Sequence, residues 1–304
     1  MLLDNLQKRG LIAPPKFLAP NTHYLTQMGS VSYGVSNDQS DIDVVGFCMP
    51  PREQIFPHLA GAIPHFGMEQ PKPFKPWQKH HIVDPDKRTF EGKPVQYDIT
   101  VYGIVQFFQL CMENNPNMID AVYTPQRCVL HATPVAQMMR DERNIFLHKG
   151  AYSKFKGYAY SQLKKLKEKK QSENPKRAAA IKAWGYDVKA GYHVVRLALE
   201  CEMILNTGTL DLEANREQLK AIRRGEWSLD YLDEWFQRKE IQLEQAKTNS
   251  KLPEVPDEAS IKDLLLRCLE QHYGSLDKAI VQPTDAAKIL ADMQAVIDAH
   301  SRRL

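Results

Sequence analysis

Residues Met28–Pro50 read MGSVSYGVSNDQSDIDVVGFCMP. The informative parts are Gly29-Ser30, Tyr33-Gly34, Ser40-Asp41-Ile42-Asp43 and Gly46. The run from Ile42 to Phe47 is apolar apart from Asp43 and reads as a strand. In a strand, residues i and i+2 share a face, so Asp41 and Asp43 would present two carboxylates together. Two such groups repel unless a cation lies between them. An all-oxygen donor set suits Mg²⁺ or Mn²⁺, with substrate phosphates completing the shell. Gly29-Ser30, just upstream, would let a backbone N–H and a hydroxyl approach a phosphate closely. A bare Asp-x-Asp also occurs as a pair of solvated turn residues; the Gly-Ser ahead of it favours the phosphate reading.

A third carboxylate would complete a two-metal site. Asp98 is the best candidate, in Val95-Gln-Tyr-Asp-Ile-Thr-Val101, a β-like run directly ahead of a helix-like run, Gly103 to Met112. An Asp among Val, Tyr and Ile is unfavourable in a strand without a task. Its alternative role is helix entry near Thr100. Asp120 is a weaker rival, read as a helix or loop polar residue. No GxxxxGK[ST] or GxGxxG pattern is present, which excludes a P-loop and a dinucleotide fingerprint. No Ser-His-Asp arrangement is readable, and His80-His81 reads as a pair of loop residues.

Around this core the texture changes. Nine prolines fall between Pro50 and Pro94. That density excludes regular helix and central strand. The segment reads as a long, mostly irregular insertion between two strands, either a lid or a variable excursion. From about Thr133 the pattern is helical, with Val194, Leu197, Ala198 and Cys201 at helical spacing and Ser228 opening a further helix after Gly225. Leu252-Pro-Glu-Val-Pro256 reads as a linker, followed by helices over Ile261–Gln271 and Ala286–His300.

Two cationic features stand out. Lys182, Lys189, His193 and Arg196 lie near one helical face and would pair with triphosphate oxygens. Alternatively the lysines are solvated and His193 is packed in the core. Arg223 and Arg224 precede a helix-ending Gly, where cations favour the helix dipole as readily as a substrate. Lys149 to Lys170 holds eight lysines, including Lys154, Lys156, Lys164 and Lys165, and one acid, Glu168, with Tyr152, Phe155, Tyr158 and Tyr160 interleaved. Basic charge with stacking surfaces suits a polynucleotide. A helix with one buried aromatic face and one lysine face is the alternative.

Composition narrows the class. The 304 residues are 43% hydrophobic and 25% charged, with a net charge of +3. The charge is too small to imply nucleic-acid binding from composition alone. Five dispersed cysteines form no CxxC pair, arguing against a disulfide framework or a cysteine zinc site and for a reduced, cytoplasmic setting. No run approaches ~18 apolar residues, so no membrane partner is expected. The N-terminus MLLDNLQKRG has no apolar core of a signal peptide.

The residues resemble the DNA-polymerase-β-like nucleotidyltransferase superfamily, and within it the predicted nucleotidyltransferases associated with RNA ligases. That subgroup's first motif is similar to GSxxYGxxxxxSDxDxxG, carried here by Gly29, Ser30, Tyr33, Gly34, Ser40, Asp41, Asp43 and Gly46. Tyr97-Asp98, Asn115-Pro116-Asn117, Lys189 with His193 and Arg196, Ile222–Glu226 and Leu252–Pro256 fit further signatures, over roughly Met28 to Pro256. The resemblance implies an α+β fold: a catalytic core of mixed sheet and helices over 1–132, with the insertion at about 50–94, and a helical domain over 133–304. It implies transfer of an NMP from an NTP, ATP foremost, to an acceptor hydroxyl, with an RNA 3′ end (tRNA or RNA repair) the leading acceptor. A protein or small-molecule acceptor, or a non-catalytic nucleotide- or RNA-binding module, is the alternative. Gly29, Ser30, Lys189, His193 and Arg196 would hold the nucleotide. Asp41, Asp43 and Asp98 would bind Mg²⁺ (or Mn²⁺), and Lys154, Lys156, Lys164 and Lys165 would meet RNA. Oligomeric state is not legible.

Overall fold

The strand over Ile42 to Phe47 and the β-like run around Asp98 become neighbours in one sheet. The computed structural model describes residues 1–36, 42–68, 70–89, 92–168, 175–281, 289–290, 292–294 and 297. In chain order the elements are α1 (Leu2–Lys8), β1 (Thr22–Gln27), β2 (Ile42–Cys48), α2 (Arg52–Ile55), β3 (Trp77–Arg88), β4 (Pro94–Gly103), α3 (Ile104–Met112), α4 (Pro116–Tyr123) and β5 (Val129–Ala132). Helices follow: α5 (Pro134–Asp141), α6 (Ala151–Glu168), α7 (Pro175–Trp184), α8 (Val188–Thr207), α9 (Arg216–Arg223), α10 (Leu229–Asn249), α11 (Glu258–Tyr273) and α12 (Leu276–Ile280). A mixed sheet core followed by a helical C-terminal region is the architecture expected from the sequence.

The sheet runs β3-β4-β2-β1-β5. β2 and β4 are parallel, and the other neighbours are antiparallel. A parallel pair needs a long crossover, and residues 49–93 supply it. This corrects the reading of 50–94 as mostly irregular, because β3 occupies Trp77–Arg88. β3 lies at the sheet edge, where Pro85 withholds no hydrogen bond from a second neighbour.

Alternation divides the apolar residues between two faces. One face packs Leu25, Val44, Cys48, Ile82, Tyr97, Ile99 and Val101 against Leu3 and Leu6 of α1. On the other, Phe47 meets Tyr24 and Phe107, with ring centroids 6.0 and 5.1 Å apart. Each fully buried side chain of this kind contributes about 1.5–3 kcal/mol. Gly46 is required by close approach: a Cβ there would stand 1.8 Å from the Tyr24 carbonyl oxygen across the β1–β2 pair.

α8 is the central helix of the C-terminal region, packed against α6, α9 and α10. Asp187 caps it by accepting hydrogen bonds from the Lys189 and Ala190 N–H groups. Lys182 lies on α7 rather than α8, so the expected stripe is not one helical face. The expected helix over Ala286–His300 lies largely outside the described residues.

The chain forms two compact units, 1–50 with 74–268, and 51–73 with 269–304. In the second, His58 Nε2 lies 3.0 Å from the Ile280 carbonyl oxygen and the Phe56 ring meets Tyr273 at 6.2 Å. Among the described residues no helix is long and apolar enough to cross a membrane.

Candidate active site

The parallel register of β2 and β4 pairs Asp43 with Asp98. Strand pleating then places both carboxylates on one sheet face, on chains roughly 4.8 Å apart. Asp43 is exposed, and the Asp98 side chain is 25% exposed, so both reach solvent. Asp98 Oδ1 accepts a 2.6 Å hydrogen bond from the His81 backbone N–H, and His80 Nδ1 lies 3.8 Å from the same oxygen. Asp41 lies outside the described residues.

The Gly-Ser turn sits directly beside Asp43. The Met28 N–H donates to the Asp43 carbonyl oxygen at 2.7 Å, holding the chain just past β1 against β2. Gly29 then adopts φ +76° and opens a 3₁₀ turn over Gly29–Val31. A Cβ on Gly29 would stand 2.7 Å from Asp43 Oδ2, so only glycine brings the backbone this near the carboxylate. Ser30 is half-buried in that turn.

Side chains from both parts of the chain grip the far side of the turn. Arg127 Nη2 donates to the Val31 carbonyl at 3.1 Å, and Arg223 Nη1 to the Val35 carbonyl at 2.8 Å. The Tyr33 hydroxyl donates to Asp120 Oδ2 at 2.6 Å and accepts from Arg196 Nη1 at 2.7 Å. Arg196 also pairs with Asp120 and donates to Glu200 Oε1 at 3.0 Å. Asp120, Arg196 and Glu200 are all buried. Burial raises the Asp120 and Glu200 carboxyls above their ordinary range, Glu200 the more, against the attraction of Arg196. One guanidinium facing two buried carboxylates favours retention of a proton on the pair.

The expected nucleotide ligands therefore separate. Lys189 is exposed. His193 is half-buried, and burial lowers its pKa well below the usual range, helped by Arg196, Lys189, Arg223 and Arg177. Arg196 is 5% exposed and committed to Tyr33, Asp120 and Glu200, a placement unlike the open stripe expected for it. Asp120 holds this arginine rather than joining Asp43 and Asp98. Glu200 escaped the sequence reading, although it stands four residues after Arg196, a spacing at which opposite charges meet on a helix.

On α6 the aromatic residues split. Phe155 is buried in the core, whereas Tyr158 and Tyr160 are exposed. Lys154 is exposed with Glu113 at 3.5 Å, and half-buried Lys156 pairs with Glu240 at 3.2 Å. Lys164 and Lys165 are exposed. Lys149 joins the linker, its N–H donating to the Pro253 carbonyl at 2.8 Å and its Nζ meeting Glu254 at 2.6 Å.

The donor chemistry fits a hard divalent cation: two carboxylates on one face, beside a turn with no side chain in the way. Among the described residues no group of three or more His, Cys, Asp or Glu forms a ready-made metal cluster.

No curated protein matches the sequence. Among solved structures, one similar chain is a nucleotidyltransferase-like protein from Exiguobacterium sibiricum 255-15, with 10% identity, 83% of this chain and 75% of that chain covered, and a TM-score of 0.27. A likeness that remote carries no inference about this site. The model of RlaP, described as the RNA repair pathway DNA polymerase beta family, matches residues 15–267. That span takes in the turn, both carboxylate strands and the helices that grip the turn, and the chain belongs to the RNA repair pathway DNA polymerase beta family.

Proposed function

We propose that the protein is an Mg²⁺-dependent nucleotidyltransferase that moves an NMP from an NTP, ATP foremost, to an acceptor hydroxyl at an RNA 3′ end. The observation that carries this reading is the juxtaposition of Asp43 and Asp98 on adjacent parallel strands, with the Gly29 turn against Asp43. The family, named for RNA repair, supports RNA as the acceptor, and tRNA is the RNA we propose first.

In this reading Asp41, Asp43 and Asp98 hold the metal, and Gly29 and Ser30 take the β- and γ-phosphates. Lys189 and His193 would serve as further phosphate contacts, while Arg196 would act through Tyr33. Bound Mg²⁺ supplies charge neutralisation on the attacking and leaving oxygens. The acceptor oxygen forms a bond to the α-phosphorus as the α–β bridging bond breaks. Pyrophosphate leaves with the bond electrons, and the hydroxyl proton passes to water. Residues 1–132 would carry this chemistry, and 133–304 would supply the helices behind the turn and the α6 lysines that meet RNA. Five buried free cysteines suit a reduced, cytoplasmic setting.

The test is incubation with each α-labelled NTP, Mg²⁺ and total tRNA, resolved on a denaturing gel. Label enters RNA with wild type and falls at least about 100-fold in Asp43→Asn and Asp98→Asn. Label on the protein band would instead mean nucleotidylation of a protein. Mg²⁺-dependent NTP binding without incorporation would point to a small-molecule acceptor. Absence of both NTP binding and incorporation would end the nucleotidyltransferase reading.

A further inference from the structure

β3 does not pair evenly with β4. Lys79 faces Ile99 and Ile82 faces Tyr97, so three steps on β3 oppose two on β4. The extra residue falls at His80–His81, and His81 takes φ +55°, left-handed backbone that a histidine seldom adopts. This bulge stands opposite Asp98. It turns the His81 N–H out of the ladder and onto Asp98 Oδ1 at 2.6 Å. Gln96, two residues before Asp98 on the same face, ties down the His81 ring at 2.6 Å from Nδ1. His80 brings its imidazole, 52% exposed, to 3.8 Å from the same carboxylate oxygen. Bulges recur beside functional sites because they re-aim one group, and sparsely populated backbone persists where its surroundings enforce it.

We propose that the His80–His81 bulge positions the Asp98 carboxylate for its metal, with His81 as a positioning residue acting through its backbone N–H. This rests on the reading of Asp98 as a metal ligand. A carboxylate on an edge-side strand rotates freely unless one oxygen is held. The His81 N–H holds that oxygen and leaves lone pairs of the carboxylate for a cation. Groups that orient metal ligands in this way typically change affinity 10–100-fold when lost.

The test is Mn²⁺ binding, read by electron paramagnetic resonance, on the full chain. Deleting His80 evens the count to two steps against two, so strand pairing survives while the N–H is drawn back into the ladder. The deletion variant is expected to melt within a few degrees of wild type and to bind Mn²⁺ about tenfold more weakly. His81→Gly keeps both the N–H and the left-handed backbone and is expected to stay within about twofold. His81→Pro, which lacks the N–H, is expected to follow the deletion. Asp98→Asn is the control for the underlying reading. If Asp98→Asn weakens Mn²⁺ and the deletion does not, the positioning role is overturned and the metal reading stands. If Asp98→Asn binds as wild type does, the metal reading falls and takes the positioning role with it.

Discussion

Tyr33 and Arg196 are 163 residues apart in sequence and share a hydrogen bond behind the Gly-Ser turn. Their surroundings decide what each contributes. Replacing Arg196 leaves two buried carboxyls facing each other without a cation, a loss of about 3–5 kcal/mol. Tyr33→Phe removes one hydroxyl and keeps the ring under the guanidinium, 4.4 Å from its centroid, for a loss of about 1–2 kcal/mol. Urea unfolding of Arg196→Met and Tyr33→Phe should return values in that order. A milder effect at Arg196 than at Tyr33 would show that the guanidinium is not what holds the two carboxyls in the core.

At the scale of elements, Arg9, at the C-terminal end of α1, ties that end to β3 through ion pairs with Asp84 and Asp86. Arg9 Nη1 reaches Asp84 Oδ2 at 2.8 Å, and Nη2 reaches Asp84 Oδ1 at 2.5 Å. Asp84 is fully buried on the edge strand. Its hydrogen bonds from Arg9 lower its pKa to about 2, against the cost of burial. A carboxyl depressed in the folded state contributes stability above its ordinary unfolded pKa of about 3.9 and loses it as pH falls through the folded value. Asp84→Asn should therefore lower Tm by about 3 °C or more at pH 7. The gap between the two proteins should close as pH drops from about 4 toward 2. Calorimetry across that range checks it, and a gap that widens on acidification would contradict the assignment. The same strand shows how far local rules reach. Proline density correctly excluded a central strand from 50–94, yet an edge strand tolerates Pro85, and edge position is settled by partners elsewhere in the chain.

For the whole molecule, a net charge of +3 is a weak field, so the RNA contact proposed above would depend on how the cations are distributed. On α6 Lys156 pairs with Glu240 and Lys167 with Asp233, and just before the helix Lys149 pairs with Glu254. Lys164 and Lys165 are exposed on the same helix, near exposed Tyr160. The double variant Lys164→Glu, Lys165→Glu should fold normally and weaken RNA binding. It should also flatten the dependence of log affinity on log salt by about 0.7 for each lost phosphate contact on a single strand. Fluorescence anisotropy with a labelled RNA over a KCl series measures both. An unchanged slope would remove α6 from the RNA path.

What the sequence by itself determined follows from short-range periodicity. Short apolar runs marked β2 and β4, the i, i+2 rule of a strand paired the carboxylates at 41 and 43, and Gly103–Met112 read as helix-like. Asn115-Pro116-Asn117 fitted a signature of the resembled family, and in the structure Asn115 Oδ1 caps α4 by accepting from the Asn117 N–H at 3.1 Å. The spacing of Gly29, Ser30, Asp41 and Asp43 carried the family before any fold was known. Only the tertiary structure decided which charges face solvent. Arg196 and Lys189 look alike in a helical pattern, but Asp120, Glu200 and Tyr33 draw the first into the core. It alone joined His81 to Asp98, since a bulge is an imbalance between two strands and neither strand encodes it singly. Local periodicity is written in neighbouring residues, whereas the burial of a charge or the register of a sheet depends on partners brought together only by folding.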